Sequence, residues 1–163
     1  ILKRYGYTIA TINPEEIETP PFWIDMSKLF ELYVFSKLKQ RFPNKGDVTY
    51  HKTFNRLEPD FILNTSDYKM VVDAKYKPQY ENNSINKEDI RQVSGYARLK
   101  SVYNFLGLKD NYNEVIDCLV IYSHQESERK DFDKDFDLKE EENYVKFFKI
   151  GIELPIVQTI KNE

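Results

Sequence analysis

The chain has 163 residues, of which 40% are hydrophobic and 15% aromatic, and its formal net charge is −3 with a single cysteine. This length suits one domain with a substantial core, and a lone cysteine excludes a fold stapled by internal disulfides. Because neither a signal-like segment nor a membrane-length apolar run is present, the sequence predicts a fragment of a cytoplasmic protein without a membrane partner.

The negative charge is concentrated in one stretch of the chain. Residues 126–142 contain nine acidic and four basic residues, so the other residues together carry a net charge of +2. Leu138 is the single aliphatic residue of this stretch. We therefore predict a solvated acidic loop between two elements of the fold.

The beginning of the chain is predicted to be a lead-in over residues 1–21 from a missing upstream region, followed by one domain over residues 22–163. Pro14, Pro20 and Pro21 prevent a continuous helix in the lead-in.

The first predicted helix follows the capping residue Asp25 and runs to about Arg41. Glu31 precedes Val34 by three residues and Leu38 by seven, so it belongs to an apolar stripe of this helix. A carboxylate in that position needs a partner.

A β-hairpin is predicted over Pro59–Lys77, where two apolar runs flank the turn-prone residues Asn64–Lys69. Asp73 and Lys75 are two residues apart on one strand and therefore project from the same face. If the start of the first strand pairs with the end of the second, Asp60 is carried to the same place. Two carboxylates and a lysine then converge.

Such a convergence indicates metal-dependent chemistry. Carboxylates buried among apolar side chains repel each other unless a cation compensates. Mg²⁺ prefers oxygen ligands and keeps positions for water and phosphate, while a nearby lysine can orient water or offset phosphate charge. The pattern favours a metal-dependent phosphodiesterase, but it also fits an Asp60 that marks a strand entry and a Lys75 on a solvated face.

The remaining elements are predicted from apolar runs and breaker residues. They are a strand over Val48–Phe54, a polar loop over residues 78–86, a helix from Lys87 to about Leu106, a strand over Val115–Tyr122 and one or two strands over Tyr144–Leu154. Cys118 is expected to be a buried structural thiol and Gly151 a bulge.

The order of these elements predicts an α/β fold. A mixed β-sheet would be flanked by helices on both faces, with the first helix crossing near the hairpin and the second on the far side. Glu31 could then point toward Asp60, Asp73 and Lys75.

Four short blocks carry a resemblance to a known family. They are Asp25–Val34, Pro59–Leu63, Val72–Lys77 and Gln92–Ala97. In this order they resemble the nuclease region of McrC, the cleavage subunit of McrBC-type restriction systems in the PD-(D/E)xK nuclease superfamily. The resemblance covers about residues 22–125, and it implies a restriction-endonuclease-like fold and a Mg²⁺-dependent DNA endonuclease.

The resemblance also implies roles for individual residues. Asp60 and Asp73 would bind Mg²⁺ together with the Ala74 carbonyl, Lys75 would be the catalytic lysine, and Glu31 would be the acidic residue contributed by the helix. Gln92 and Tyr96 correspond to a glutamine and a tyrosine on the following helix, and with Lys77 they are candidate DNA contacts.

A partner is implied by the resemblance alone. McrC-like subunits act on double-stranded DNA with a GTP-driven AAA+ motor that recognises modified DNA, through a region that would lie upstream of Ile1. Two other functions stay open: an inactive nuclease-shaped scaffold that docks a motor or DNA, and a stand-alone PD-(D/E)xK nuclease. His51 and His124 have no partner spacing and are assigned no role.

Overall fold

The computed structural model describes residues 24–76, 86–124, 132, 136 and 138–155. The lead-in predicted at residues 1–21 therefore lies outside the described residues, as does Lys77. The helices are α1 (Met26–Arg41), α2 (Lys87–Ala97) and α3 (Lys100–Phe105). The strands are β1 (Val48–Tyr50), β2 (Phe61–Asn64), β3 (Lys69–Lys75), β4 (Asp117–His124), β5 (Lys139–Glu140) and β6 (Phe147–Glu153).

Within the described residues these strands form a six-stranded mixed sheet in the order β1-β2-β3-β4-β6-β5. The strands β1, β2 and β3 are antiparallel neighbours, whereas β4 runs parallel to both β3 and β6. The chain passes from β3 to β4 through α2 and α3, because parallel neighbours need a long crossover. The predicted α/β class, a restriction-endonuclease-like mixed sheet flanked by helices, is confirmed.

The predicted hairpin is formed by β2 and β3. Phe61 pairs with Val72 at one end, and Asn64 pairs with Lys69 at the other. The turn is closed by Thr65, whose N–H donates to the Tyr68 carbonyl at 2.8 Å and whose Oγ1 accepts from the Tyr68 N–H at 2.9 Å. The start of β2 therefore lies beside the end of β3.

The helices cover opposite faces of the sheet. Asp25 caps α1 by accepting a hydrogen bond from the Lys28 N–H at 3.1 Å, as its sequence position predicts. The buried residues of α1 are Phe30, Val34 and Leu38, which belong to one core cluster with Phe61, Leu63, Met70, Val72, Leu119 and Ile121. On the other face, α2 and α3 contribute Ile90, Val93, Ala97, Val102 and Tyr103 to a cluster with Ile62, Val71, Cys118 and Val120.

The long helix predicted after residue 86 is broken in two. Leu99 has an extended backbone, with φ −73° and ψ 125°, and separates α2 from α3. The change of direction brings Val102 of α3 into the same core cluster as Val93 of α2. The prediction of one continuous helix was wrong because local pattern does not encode this docking.

Two strand predictions also need correction. Strand β1 ends at Tyr50 and does not reach Phe54, because His51 has a φ of +49° that leaves the extended region. Gly151 forms no bulge, since its pairing with Tyr122 continues the register of β4 and β6 without interruption.

The acidic stretch contributes to the core. Phe132 and Phe136 are 4% and 2% exposed. The Phe136 ring makes edge contacts with Phe42 and Tyr68, at centroid distances of 5.3 and 5.4 Å. The prediction of a purely solvated loop was wrong at these two residues, because it rested on the scarcity of aliphatic residues and overlooked the aromatic ones. It was also wrong at Lys139–Glu140, which form β5.

Cys118 lies buried in β4, as predicted for a structural thiol. Burial raises the pKa of this thiol to about 12, which keeps it protonated and unreactive near neutral pH. Among the described residues, no helix combines the length and the apolar character that a membrane crossing requires.

Candidate active site

Asp60 is fixed between the two strands of the hairpin. Its Oδ2 accepts a hydrogen bond of 2.8 Å from the backbone N–H of Ala74 near the end of β3. Burial raises the pKa of Asp60 above its ordinary value, and the hydrogen bond from Ala74 offsets only part of this effect. The carboxylate is thus held where its charge is unfavourable.

Asp73 and Lys75 form an ion pair on the face of the sheet that α2 covers. The Lys75 Nζ lies 2.7 Å from the Asp73 Oδ2, and Asp73 is 1% exposed. Burial, followed by the nearby charge of Asp60, raises the pKa of Asp73 to about 7. Burial lowers the pKa of Lys75, but Asp73, Asp89 and Asp60 together outweigh this effect, so the pKa is raised overall and the side chain stays an ammonium.

Helix α2 supplies further polar groups to Lys75. The Lys75 Nζ donates to the Gln92 Oε1 at 3.1 Å, and the Gln92 Nε2 donates to the Tyr96 hydroxyl at 3.0 Å. The buried Asp89 places its Oδ1 3.9 Å from the same ammonium. Sequence reasoning singled out Gln92 and Tyr96 but did not identify Asp89.

Glu31 approaches the site from the α1 side of the sheet. Ligand atoms of Glu31, His51 and Asp60 all lie within 4.8 Å of one another. Asp73 is not a member of this group, although it too is among the described residues. The structure therefore brings Glu31 to Asp60. Its approach to Asp73 and Lys75 stays a prediction.

His51 is a site residue that sequence reasoning did not assign. Its Nε2 contacts the Glu31 Oε1 and its Nδ1 contacts the Glu58 Oε1. Partial burial lowers the pKa of His51, but Glu58 and Glu31 raise it by more, so the pKa lies above its ordinary value.

The neighbours of Glu31 favour its ionised form. Burial raises the pKa of Glu31, but hydrogen bonds to Lys28 and to neighbours that include His51 outweigh it, so the pKa falls below its ordinary value. The Lys28 Nζ lies 2.9 Å from the Glu31 Oε1. Glu31 is accordingly a carboxylate near neutral pH.

The position of His51 follows from strand register. Tyr50 pairs with Phe61 across β1 and β2, so the residue after Tyr50 lies opposite the residue before Phe61. The His51 N–H donates to the Asp60 carbonyl at 3.0 Å. Knowledge of this antiparallel pairing would have identified His51, but a strand predicted to run to Phe54 concealed it.

A family model described as McrBC 5-methylcytosine restriction system component matches residues 7–106. The chain belongs to this family. The resemblance carried by the four sequence blocks is thereby confirmed.

A solved structure supports the same fold. The matching chain comes from a half-complex of the tetradecameric assembly of Thermococcus gammatolerans McrB AAA+ hexamers with bound McrC, with a TM-score of 0.52 and 19% identity. The match covers 83% of this McrBC-family chain and 30% of that chain. No curated protein matches significantly.

The family match includes all the site residues described above. Glu31 on α1, the β2–β3 hairpin and Gln92 on α2 lie within residues 7–106, whereas β4 and β6 lie beyond them. The polar groups of the site are therefore contributed by the matched part of this McrBC-family chain.

Proposed function

We propose that this chain is the cleavage subunit of a McrBC-type restriction system, a Mg²⁺-dependent endonuclease that hydrolyses DNA phosphodiester bonds. The observation that supports this most strongly is the convergence of Asp60, Asp73 and Lys75 where β2 begins and β3 ends. Two acids and an amine are held there by contacts of 2.8 and 2.7 Å.

The residues present fit a magnesium ion. Asp60, Asp73 and the Ala74 carbonyl offer hard oxygen ligands at one strand end, and Glu31 adds an oxygen on the α1 side. Burial and mutual repulsion raise the pKa of Asp73 to about 7, and a cation bound between the two aspartates would relieve that repulsion. When bound, Mg²⁺ would polarise the scissile phosphate and acidify a water.

Lys75 acts through its positive charge. Because its pKa is raised, the ammonium is retained near neutral pH and is a hydrogen-bond donor, not a general base. Asp73 and Gln92 fix the Nζ from two directions, at 2.7 and 3.1 Å. Held in this way, Lys75 can orient the attacking water and offset charge that develops on the phosphate.

Gln92 and Tyr96 are proposed to lie along the DNA path. Gln92 is exposed and Tyr96 partly exposed, so a backbone phosphate could reach Gln92 without displacing the core. Lys77 remains a candidate phosphate contact from the sequence alone.

The proposed partners follow from the family. We propose double-stranded DNA, in modified form, as the substrate and a GTP-dependent AAA+ McrB-like motor as the partner subunit. The solved structure that shares the fold contains McrB AAA+ hexamers with bound McrC. We propose the cytoplasm as the location of this activity.

The proposal is tested by DNA cleavage with the cognate motor subunit, GTP, Mg²⁺ and methylated plasmid. Asp73→Ala and Lys75→Ala should each abolish cutting while the circular dichroism spectrum and motor binding stay unchanged. Lys69→Ala is the matched control, because Lys69 lies at the opposite end of the same strand. Cleavage by either active-site variant at the rate of the unmodified protein contradicts the assignment.

The same assay separates the other functions. Robust cleavage of bare DNA without motor or nucleotide indicates a stand-alone nuclease. If the unmodified protein binds the motor but never cuts DNA with Mg²⁺ or Mn²⁺ present, it is a scaffold.

A further inference from the structure

We infer that Glu31, His51 and Asp60 form a second cation position, in which the His51 Nε2 is a nitrogen ligand for a divalent transition-metal ion. This inference rests on the proposed function, because Asp60 would be shared with the position that Asp73 and the Ala74 carbonyl supply. It adds a ligand that neither the carboxylate pattern nor the resemblance to McrC contains.

The first argument is the convergence of ligand atoms. One atom from each of Glu31, His51 and Asp60 lies within 4.8 Å of the other two, and all three residues are partly buried. This spacing lets a single ion contact all three after small side-chain adjustments. The residues come from α1, the end of β1 and the start of β2, so their meeting is produced by the tertiary fold and not by local sequence.

The second argument is the orientation of the imidazole. Glu58 contacts the Nδ1 of His51, and Thr53 in turn donates to the Glu58 Oε2 at 2.9 Å. Metal-binding histidines usually bond a carboxylate through one ring nitrogen and bind the metal through the other. Glu58 occupies one nitrogen of His51 in this way, and the other nitrogen faces acidic groups. The Nε2 is thus the nitrogen that contacts Glu31.

The backbone fixes this arrangement. The His51 N–H donates to the Asp60 carbonyl at 3.0 Å, so both ligands move with the β1–β2 pair. After His51, the chain returns through a tight turn closed by the Phe54–Leu57 bridge, and Asn55 and Arg56 both have positive φ. That turn brings Glu58 back beside the imidazole.

The ligand chemistry selects the ion. Two carboxylates and one imidazole suit Mn²⁺ and other divalent transition metals, whereas Mg²⁺ prefers an all-oxygen shell. The position built by Asp60 and Asp73 offers oxygen alone. The two positions therefore differ in cation preference. Magnetic coupling between the bound ion and a ligand nitrogen distinguishes them.

Lys28 is the competing cation. Its Nζ lies 2.9 Å from the Glu31 Oε1 and 3.1 Å from the His51 Nε2. The Lys28 side chain is 46% exposed, so it can withdraw into solvent when an ion enters. Removal of this ammonium should tighten binding.

The test uses Mn²⁺ and the whole chain, without DNA. Pulsed electron paramagnetic resonance should detect a ¹⁴N coupling from a coordinated imidazole, and Mn²⁺ titration should give two ions per chain. His51→Gln should remove the ¹⁴N coupling and leave one ion per chain. The sequence contains two histidines, so His124→Gln is the matched control and should retain the signal.

Two further variants sharpen the result. Glu58→Gln should keep the ¹⁴N coupling but weaken Mn²⁺ binding at this position by roughly tenfold, as expected when the support of a ligand is removed. Lys28→Met should strengthen binding there by about threefold or more, since an ammonium beside a cation position disfavours the cation.

The outcomes separate this inference from the proposed function. An absent ¹⁴N coupling, or one that persists in His51→Gln, overturns the inference even if Asp73→Ala still abolishes cleavage. A coupling lost only in His51→Gln supports the second position. Undiminished cleavage by Asp73→Ala contradicts the assignment of Asp73 to the active site, whatever the spectrum shows, and the ¹⁴N coupling still decides the second position by itself.

Discussion

The Asp60 carboxylate accepts a 2.8 Å hydrogen bond from the Ala74 amide, and this contact joins the beginning of β2 to the end of β3. One side chain therefore fixes the hairpin at the site and also supplies charge to it. These two roles can be separated by substitution.

Asp60→Asn should be at least as stable as the unmodified protein but lose cleavage, because an amide oxygen can still accept from Ala74 while the unfavourable charge is gone. Asp60→Ala should lose cleavage and also about 1–2 kcal/mol of stability, since the partly buried Ala74 N–H loses its acceptor. Thermal unfolding in EDTA measures the difference. Equal melting temperatures for the two variants would show that the contact does not stabilise the fold.

Asp73→Asn should stabilise the metal-free protein at alkaline pH. Burial raises the pKa of Asp73 from 3.8 to about 7. A raised carboxyl pKa means that the folded state binds the proton more tightly, so this contribution to stability is complete below pH 3.8 and is lost as the pH rises through about 7. The amide cannot ionise and avoids that loss.

The measurement is the melting temperature in EDTA at pH 5 and pH 8. We expect the melting temperature of Asp73→Asn, measured relative to that of the unmodified protein, to be roughly 2–6 °C higher at pH 8 than at pH 5. Mg²⁺ should stabilise the unmodified protein at pH 8 and have little effect on the variant. The prediction would be refuted if the variant lost as much stability between pH 5 and pH 8 as the unmodified protein does.

Gln92→Ala should reduce the cleavage rate by about tenfold, which corresponds to the loss of one hydrogen bond to a charged group. The reason is that Gln92 fixes the Lys75 Nζ at 3.1 Å. Because Gln92 is exposed, the melting temperature of this variant should equal that of the unmodified protein. Tyr96→Phe is the matched comparison and should reduce the cleavage rate less, since it leaves the contact between Gln92 and Lys75 in place. A larger loss of cleavage in Tyr96→Phe than in Gln92→Ala would assign the main role to Tyr96.

Phe136→Ala should destabilise the fold by about 3 kcal/mol, the usual cost of truncating a buried aromatic side chain. The Phe136 ring is 2% exposed and packs against Phe42, Tyr68 and Phe132. Urea unfolding measures the change, with the exposed Lys109→Ala as a control that should stay within about 0.5 kcal/mol. A solvated loop, as the charge pattern alone suggests, would give no loss.

The features that the sequence predicted correctly depend on neighbours along the chain. The β2–β3 hairpin was predictable because two apolar runs lie on either side of a polar turn, and the cap at Asp25 for a similar reason. The placement of Asp73 and Lys75 on one face follows from the period of a strand.

The features that were missed depend on distant contacts. The break at Leu99 lets α3 place Val102 and Tyr103 in the core cluster to which α2 also contributes. His51 acquires neighbours only through the register of β1 against β2, which its own spacing does not reveal. Phe136 is buried by Phe42 and Tyr68, which lie far away in a different part of the chain.

The hairpin that carries both aspartates also has a consequence for folding kinetics. Closing the Thr65–Tyr68 turn costs little loop-closure entropy, so the two acids can meet early, as a contact of low sequence separation. The pairing of β4 with β3 and β6 joins distant segments and must come later. Two acids whose pKa values are both raised therefore assemble by a local route, before the crossover helices can shield them.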